Sequence, residues 1–326
     1  MTTVALDLLG GDEAPAVVAD AVALLTSDAD PVDLLLVGPR DTAVALLEER
    51  RVRTHGIRFA NAESFVRMDE DPLAVLRAHP DASVLVAARA VATGDADAWV
   101  SVGHTGASVA AAVLELGRVP GIARPALAVV VPALDGPVVL LDAGAAPDAT
   151  PDLLRQFALA GHAYARSLGV ADPVVGLLTI GSEEGKGDRL RRSAHEVLRE
   201  TLPAAGIRYA GPVEGHDLAW GRAAQVFVTD GFTGNVVLKA LEGAVQWSAV
   251  RMGSAYGDPA PAWDVVLRTA TSDFAGGMLL GVAGVTVVGH GAGSAAEIAA
   301  CVRLASRASA GGLMGLSSAA LAGSAP

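Results

Sequence analysis

The chain has 326 residues, of which 52% are hydrophobic and 18% are charged, a composition that excludes extensive disorder and allows a large core. The net charge of −12 argues against broad nucleic-acid binding and against electrostatic attachment to anionic lipid, since both need a basic surface. A single cysteine, Cys301, excludes an internal disulfide and a cysteine-cluster metal site.

The N-terminal segment MTTVALDLLGGDEAP has no basic region and carries two aspartates, so it is not a signal peptide. The longest apolar run, Ala275 to Gly289, is too short to span a bilayer and predicts a turn followed by one buried strand. We therefore expect a cytosolic protein.

Short aliphatic runs alternate with helix-like segments along the chain, which predicts βαβ units and a mostly parallel sheet. The clearest helices are expected at 14–25 and 105–116. The strands are expected at 4–9, 33–37, 98–102, 126–131, 138–141, 174–180, 226–229 and 285–288. We expect one large α/β domain over residues 1–311, and a flexible tail over 312–326 because that segment is rich in Ala, Gly and Ser.

Glycine-rich junctions follow many of these strands, where ligands gather in parallel sheets. Backbone N–H groups there suit phosphate, because no side chain intervenes. No junction matches a dinucleotide or Walker motif, so an NAD enzyme or a P-loop ATPase is disfavoured. The junctions, which we expect to surround one anionic site, are Gly10-Gly11-Asp12, Gly103-His104-Thr105-Gly106, Gly144, Gly181 to Gly187, Gly231 to Asn235, and Gly289 to Ser294.

Four junctions carry side chains suited to chemistry. His104 follows Ser101 at a strand end, where a capping loop with a surface histidine is an equal alternative. Lys186 lies beside Glu183 and Glu184 and can stabilise an oxyanion, although a solvated charged turn explains the same residues.

The segment Asp230-Gly231-Phe-Thr233-Gly-Asn235 places hydroxyl, amide and backbone donors at a helix start, with Lys239 one turn further on. His290 ends an apolar run before a Gly/Ser turn, where a structural histidine and a functional one are equally expected. No ligand cluster such as H-x-x-x-H occurs, so we expect neither a catalytic metal nor another cofactor.

Taken in order, the motifs ALDLLGGDEAP, DEDPLAVLR, SVGHTGA, RPALAVVVP, LDAGA, LLRQFA, IGSEEGKG, DGFTGNVVLK and GGMLLGVAGVTVVGHGAGS resemble the PlsX phosphate acyltransferases. The similarity runs from Val4 to about Ser294. It implies a three-layer αβα fold related to phosphotransacetylases and isopropylmalate-type dehydrogenases, commonly as a homodimer.

The resemblance also implies transfer of a fatty acyl group from acyl carrier protein to inorganic phosphate, giving acyl phosphate for phospholipid synthesis. The implied catalytic residues are Lys186, His290 and Asn235. The implied substrate-binding positions are Asp7, Gly10, Gly11, Asp12, Ser101, Gly103, His104, Thr105, Gly106, Asp142, Glu183, Glu184, Asp230, Gly231, Thr233 and Lys239.

The chain departs from the family pattern at several positions. His104 and Ala146 stand where the family usually has asparagine, and Asp71 stands where it usually has lysine. The region from Lys239 to Gly276 is shorter and less basic than the family's membrane-associating segment, so membrane attachment is not predicted.

These departures leave other functions open: a paralogue that uses another acyl-carrier thioester in secondary metabolism, or a scaffold that binds carrier protein without catalysis. An NAD-linked decarboxylating dehydrogenase fits the fold but lacks an identifiable metal-binding aspartate cluster. On this acidic chain, Arg189 and Arg192 share a helix face and form the expected docking patch for an acidic carrier protein, with a solvated helix face as the alternative.

Overall fold

The computed structural model describes residues 2–27, 32–183, 185–270 and 275–322, and for residues 267–270 it describes the backbone alone. One sheet crosses the described part of the chain. Its strands are β1 (Thr3–Asp7), β2 (Asp33–Val37), β3 (Arg58–Ala60), β4 (Ala98–Ser101), β5 (Ala126–Val131), β6 (Val138–Leu141), β7 (Val175–Thr179), β8 (Tyr209–Glu214), β9 (Val226–Val228), β10 (Gly277–Leu280) and β11 (Val285–Val288).

Helices cover both faces of this sheet, which makes the fold three-layered. They are α1 (Ala16–Thr26), α2 (Arg40–Glu49), α3 (Pro72–Ala78), α4 (Ser83–Ala92), α5 (Thr105–Glu115), α6 (Pro151–Ser167), α7 (Arg189–Ala204), α8 (Asp217–Trp220), α9 (Gly231–Tyr256), α10 (Ala260–Ala270), α11 (Ala295–Ala310) and α12 (Leu313–Ala322). The predicted α/β class with a mostly parallel sheet is confirmed.

The strand order is β3-β2-β1-β4-β11-β10-β5-β6-β9-β7-β8. Strands β3, β2, β1, β4 and β11 are parallel, and so are β6, β9, β7 and β8. Between these blocks, β10 pairs antiparallel with both β11 and β5, and β5 pairs antiparallel with β6. These three reversals make the second block run opposite to the first.

The core is aliphatic, as the scarcity of aromatic residues requires. On one face, side chains such as Leu6 and Val100 pack with α1, α6 and α11. On the other, Trp99 and Ala5 pack with α4 and α5. Alternate residues of a strand thus meet different helices, and both faces of the parallel strands are buried.

Three strands lie where the sequence analysis placed none. β3 is short and begins with a charged residue, and β8 is an edge strand that contains Gly211 and Pro212. β10 lies inside the run 275–289, where we expected a turn and one strand, and it forms an antiparallel pair with β11. Short, interrupted or edge strands carry weak hydrophobic patterns, which explains these omissions.

The flexible tail expected from residue 312 is instead helix α12 up to Ala322, and only 323–326 lie outside the described residues. Leu313 and Leu321 are buried in the same core as α6 and α11. A composition of Ala, Gly and Ser suggests flexibility in isolation, but an apolar stripe packed on the domain stabilises a short helix. Nowhere in the described ranges is a helix both long and apolar enough to cross a membrane.

Candidate active site

The glycine-rich junctions form two loop clusters, because the strands that carry them run in two directions. The first cluster consists of the loops after β1, β4 and β11. The second consists of the loops after β6, β7 and β9, together with the start of α9. The two sets leave the sheet at opposite edges, so the prediction that all the junctions surround one site is wrong. That prediction assumed a single strand direction.

In the first cluster, Asp7 is buried and accepts hydrogen bonds from the Ser101 hydroxyl at 2.8 Å and from the Leu9 N–H at 3.0 Å. Burial raises the pKa of Asp7 above its usual value, against the lowering effect of these hydrogen bonds. Gly10 allows this close packing, since a Cβ there would lie 2.8 Å from the Gly103 nitrogen. The aspartate therefore joins the first two loops of the cluster.

The third loop joins them through the backbone, where the Asp12 N–H donates to the Gly291 carbonyl at 2.8 Å. His290, just before this contact, is exposed. His104 caps α5, with its Nδ1 accepting a 3.4 Å hydrogen bond from the Ala107 N–H, and exposed Thr105 and half-buried Gly106 begin the helix. His104 thus has the capping role named as its alternative.

A recess in the first cluster, between Asp7, Ser101 and His104, has a volume of about 10 Å³. This volume is about that needed for one water molecule.

In the second cluster, Asp142 is completely buried and accepts four backbone N–H groups, from Leu127, Gly144, Ala145 and Ala146, at 2.6–3.0 Å. Burial raises the pKa of Asp142 in spite of these bonds. With its oxygens used inside the protein, Asp142 shapes the loop after β6 rather than facing a substrate.

Helix α9 approaches this loop closely. A Cβ at Gly234 would lie 1.9 Å from the carbonyl oxygen of Asp142, and one at Gly231 would lie 2.7 Å from the carbonyl oxygen of Ala146. Asn235 then donates its side-chain amide to the Ala143 carbonyl at 3.1 Å. The glycines of the DGFTGN motif are therefore needed for helix packing.

Asp230 caps α9 and accepts from both the N–H and the hydroxyl of Thr233, each at 2.9 Å. Arg191 of α7 pairs with the second carboxylate oxygen of Asp230 and donates to the hydroxyls of Thr229 and Thr233 at 2.9 and 2.8 Å. Burial by itself raises the pKa of Asp230, but the Thr233 hydrogen bonds and the Arg191 charge together hold it below its usual value. Arg191 was not among the predicted site residues, because its partner lies 39 residues away.

Lys186 lies between β7 and α7, with its Nζ 3.9 Å from Glu183 and half of its side chain exposed. It lines a groove of about 370 Å³ together with Arg191 and Arg192. Glu184, also predicted here, lies outside the described residues.

Lys239, which was predicted to bind substrate, instead pairs with Glu242 at 2.8 Å along α9. Of the residues expected to be catalytic, Lys186 and Asn235 thus belong to the second cluster and His290 to the first.

The comparisons with known proteins agree with this architecture. A family model described as "Fatty acid synthesis protein" matches residues 2–314. The phosphate acyltransferase of Desulfitobacterium hafniense (strain Y51) is 38% identical over 317 residues, covering 94% of this chain and 93% of that protein. The chain belongs to the phosphate acyltransferase family. The phosphate acyltransferase of Thermobifida fusca is 41% identical over 313 residues, covering 92% of this chain and 86% of that protein.

The fold also matches a solved phosphotransacetylase from Streptococcus pyogenes, with a TM-score of 0.65 and 19% identity, covering 94% of this chain and 93% of that one. Family membership makes the chain an acyltransferase of fatty acid and phospholipid synthesis.

One departure from the family pattern has a structural explanation, because Asp71 caps α3 by accepting the Ala74 N–H at 2.8 Å. A carboxylate is a good helix cap where a lysine is not. Ala146 is buried and bonds Asp142 through its backbone N–H at 2.6 Å, which does not explain the replacement of asparagine.

Proposed function

We propose that this phosphate acyltransferase moves a fatty acyl group from acyl carrier protein to inorganic phosphate and releases acyl phosphate. A phosphate oxygen attacks the thioester carbonyl, the C–S bond breaks, and the carrier leaves as a thiolate. A thiol has a pKa of about 8.5, so the leaving group needs little protonation. The main tasks of the enzyme are to hold an anion against the carbonyl and to stabilise the oxyanion.

The observation that carries the proposal is the position of Lys186. Its ammonium lies at the groove between the β7 loop and α7, and the only ion pair described for it is a long one to an exposed carboxylate, Glu183. Nearby, Arg191 is neutralised by Asp188 and Asp230 and serves to hold the α9 N-terminus. Lys186 is therefore an exposed cation of the second cluster that an incoming anion can reach.

The test is to incubate the protein with phosphate and acyl carrier proteins that bear chains of several lengths. Acyl phosphate, trapped as a hydroxamate, and free carrier thiol should appear in equal amounts. Free fatty acid without acyl phosphate would show hydrolysis instead, and the absence of turnover with every donor would favour a scaffold. A preference for one unusual donor would favour the specialised paralogue.

The exposed apolar side chains of α9 and α10 support a homodimer as the working assembly. These helices present Trp247, Val250, Tyr256, Trp263 and Val265, each at least 39% exposed. Contiguous apolar surface of this kind marks an interaction site. Sedimentation should give twice the chain mass, and Trp247→Glu with Val250→Glu should give the single mass.

A further inference from the structure

A groove of about 370 Å³ runs between α7 and the strands β7 and β8 at the end of the sheet. Lys186 lies at one end, beside the start of α7, and Arg199 lies more than two helical turns further on. Volumes of this size are typical of sites for small organic ligands, and a single phosphate ion would fill only a small part of it. The groove therefore has room for more than the acceptor substrate.

One face of α7 makes this groove basic. Arg192, His195 and Arg199 follow at intervals of three and four residues, so they share that face. Glu196 is the carboxylate among the described lining residues. Arg191 is neutralised by Asp188 and Asp230, and Arg199 already makes an interaction within the protein, so the positive charge of this lining comes chiefly from Lys186 and Arg192. His195 places its Nδ1 3.0 Å from the Tyr209 hydroxyl, which leaves Nε2 for a ligand. An anion fits this surface better than a cation or an apolar chain.

The length of the groove fits a particular anion. Helix α7 rises about 1.5 Å per residue, so Arg199 lies about 15 Å along the axis from the helix start. The phosphopantetheine arm of a carrier protein has about thirteen bonds between phosphorus and sulfur, and an extended chain of that length also spans about 15 Å. With the phosphate at Arg199, the thioester reaches the level of Lys186.

We propose that this groove binds the phosphopantetheine arm of the acyl donor, with the phosphodiester between His195 and Arg199 and the thioester beside Lys186. The proposal rests on the proposed function for the identity of the donor. It assigns His195 and Arg199 to donor binding, and it places the acceptor phosphate outside the Lys186 end of the groove.

Binding of free 4′-phosphopantetheine and of pantetheine, which lacks the phosphate, tests the groove without any turnover. Calorimetry should show phosphopantetheine binding about 10- to 100-fold more tightly, as a charge-assisted hydrogen bond predicts. Arg199→Gln should remove most of this difference, and Arg199→Lys should keep part of it. Arg208→Gln changes an exposed arginine paired with Asp172 outside the groove and should leave both affinities unchanged.

Equal affinity of the wild-type protein for the two compounds would overturn the proposal, and so would full displacement of phosphopantetheine by millimolar phosphate. With acyl-phosphopantetheine as donor, Arg199→Gln should raise KM about tenfold with kcat nearly unchanged. An unchanged KM would also overturn it. Tight phosphopantetheine binding without acyl phosphate formation from any donor would refute the proposed function while supporting the groove.

Discussion

Replacing Arg191 with methionine removes the cation that joins α7 to the N-terminus of α9 and keeps an apolar side chain of similar length. The side chains of Arg191 and Asp230 are 11% and 8% exposed, so their pair is largely buried. Removing one partner of a buried pair costs about 3–5 kcal/mol, because the other charge is left without compensation. Asp230 keeps its Thr233 hydrogen bonds, so we expect the lower end, about 3 kcal/mol of unfolding free energy.

The loss of stability in the Arg191→Met variant should depend on pH. In the wild-type protein the pKa of Asp230 is held below its usual value, so its contribution to stability is present above about pH 3.9 and is lost as the pH falls through the folded pKa. Without Arg191 the pKa of Asp230 rises, because the lowering effect of the guanidinium charge and of its hydrogen bond is lost. The variant is then destabilised most at neutral pH. Its loss of unfolding free energy relative to the wild-type protein becomes smaller as the pH falls and the carboxylate is protonated.

Urea unfolding followed by circular dichroism at about pH 7 and about pH 3.5 measures both effects. Arg189→Met, at an exposed position on the same helix, is the matched control and should cost less than about 0.5 kcal/mol. The double variant Arg191→Met/Asp230→Asn should recover part of the loss, with a coupling energy of about 2 kcal/mol. If Arg191→Met costs no more than the control, or if its deficit does not change with pH, the buried pair does not hold the second cluster together.

Three further predictions follow from the second loop cluster. Lys186→Ala should lower turnover by about 10²–10³ with unchanged folding if it stabilises the developing oxyanion, and near-normal kcat would reject that role. Gly234→Ala should destabilise the protein by more than about 3 kcal/mol, because the added Cβ would lie 1.9 Å from a backbone oxygen. Gly243→Ala on the same helix, with nothing within 4 Å, should gain about 0.5–1 kcal/mol; equal thermal shifts would contradict this packing. Arg189→Glu should raise KM for acyl carrier protein and leave KM for a small acyl thioester unchanged, and equal losses with both donors would assign the arginine to the loop instead.

Most strands could be predicted from the sequence because they depend on local patterns. The aliphatic runs at 33–37, 126–131, 138–141 and 285–288 became strands with those bounds. The cap of α9 is also local, but the sequence analysis did not assign it to Asp230, which accepts the Thr233 N–H. The order of the motifs was sufficient to identify the family, because several short motifs in the same order are far more specific than any one of them.

The direction of each strand and the partners of distant side chains were decided only by the tertiary structure. An aliphatic run has the same periodicity in a parallel and an antiparallel strand. The three reversals around β10 and β5 therefore cannot be recognised from the local sequence pattern. Those reversals divide the glycine-rich junctions between two clusters. Arg191 has the same sequence context as its neighbours Arg189 and Arg192, and only the packing of α7 beside α9 makes it the partner of Asp230. Such pairing depends on which helix faces meet, and a linear pattern of charges does not contain that information.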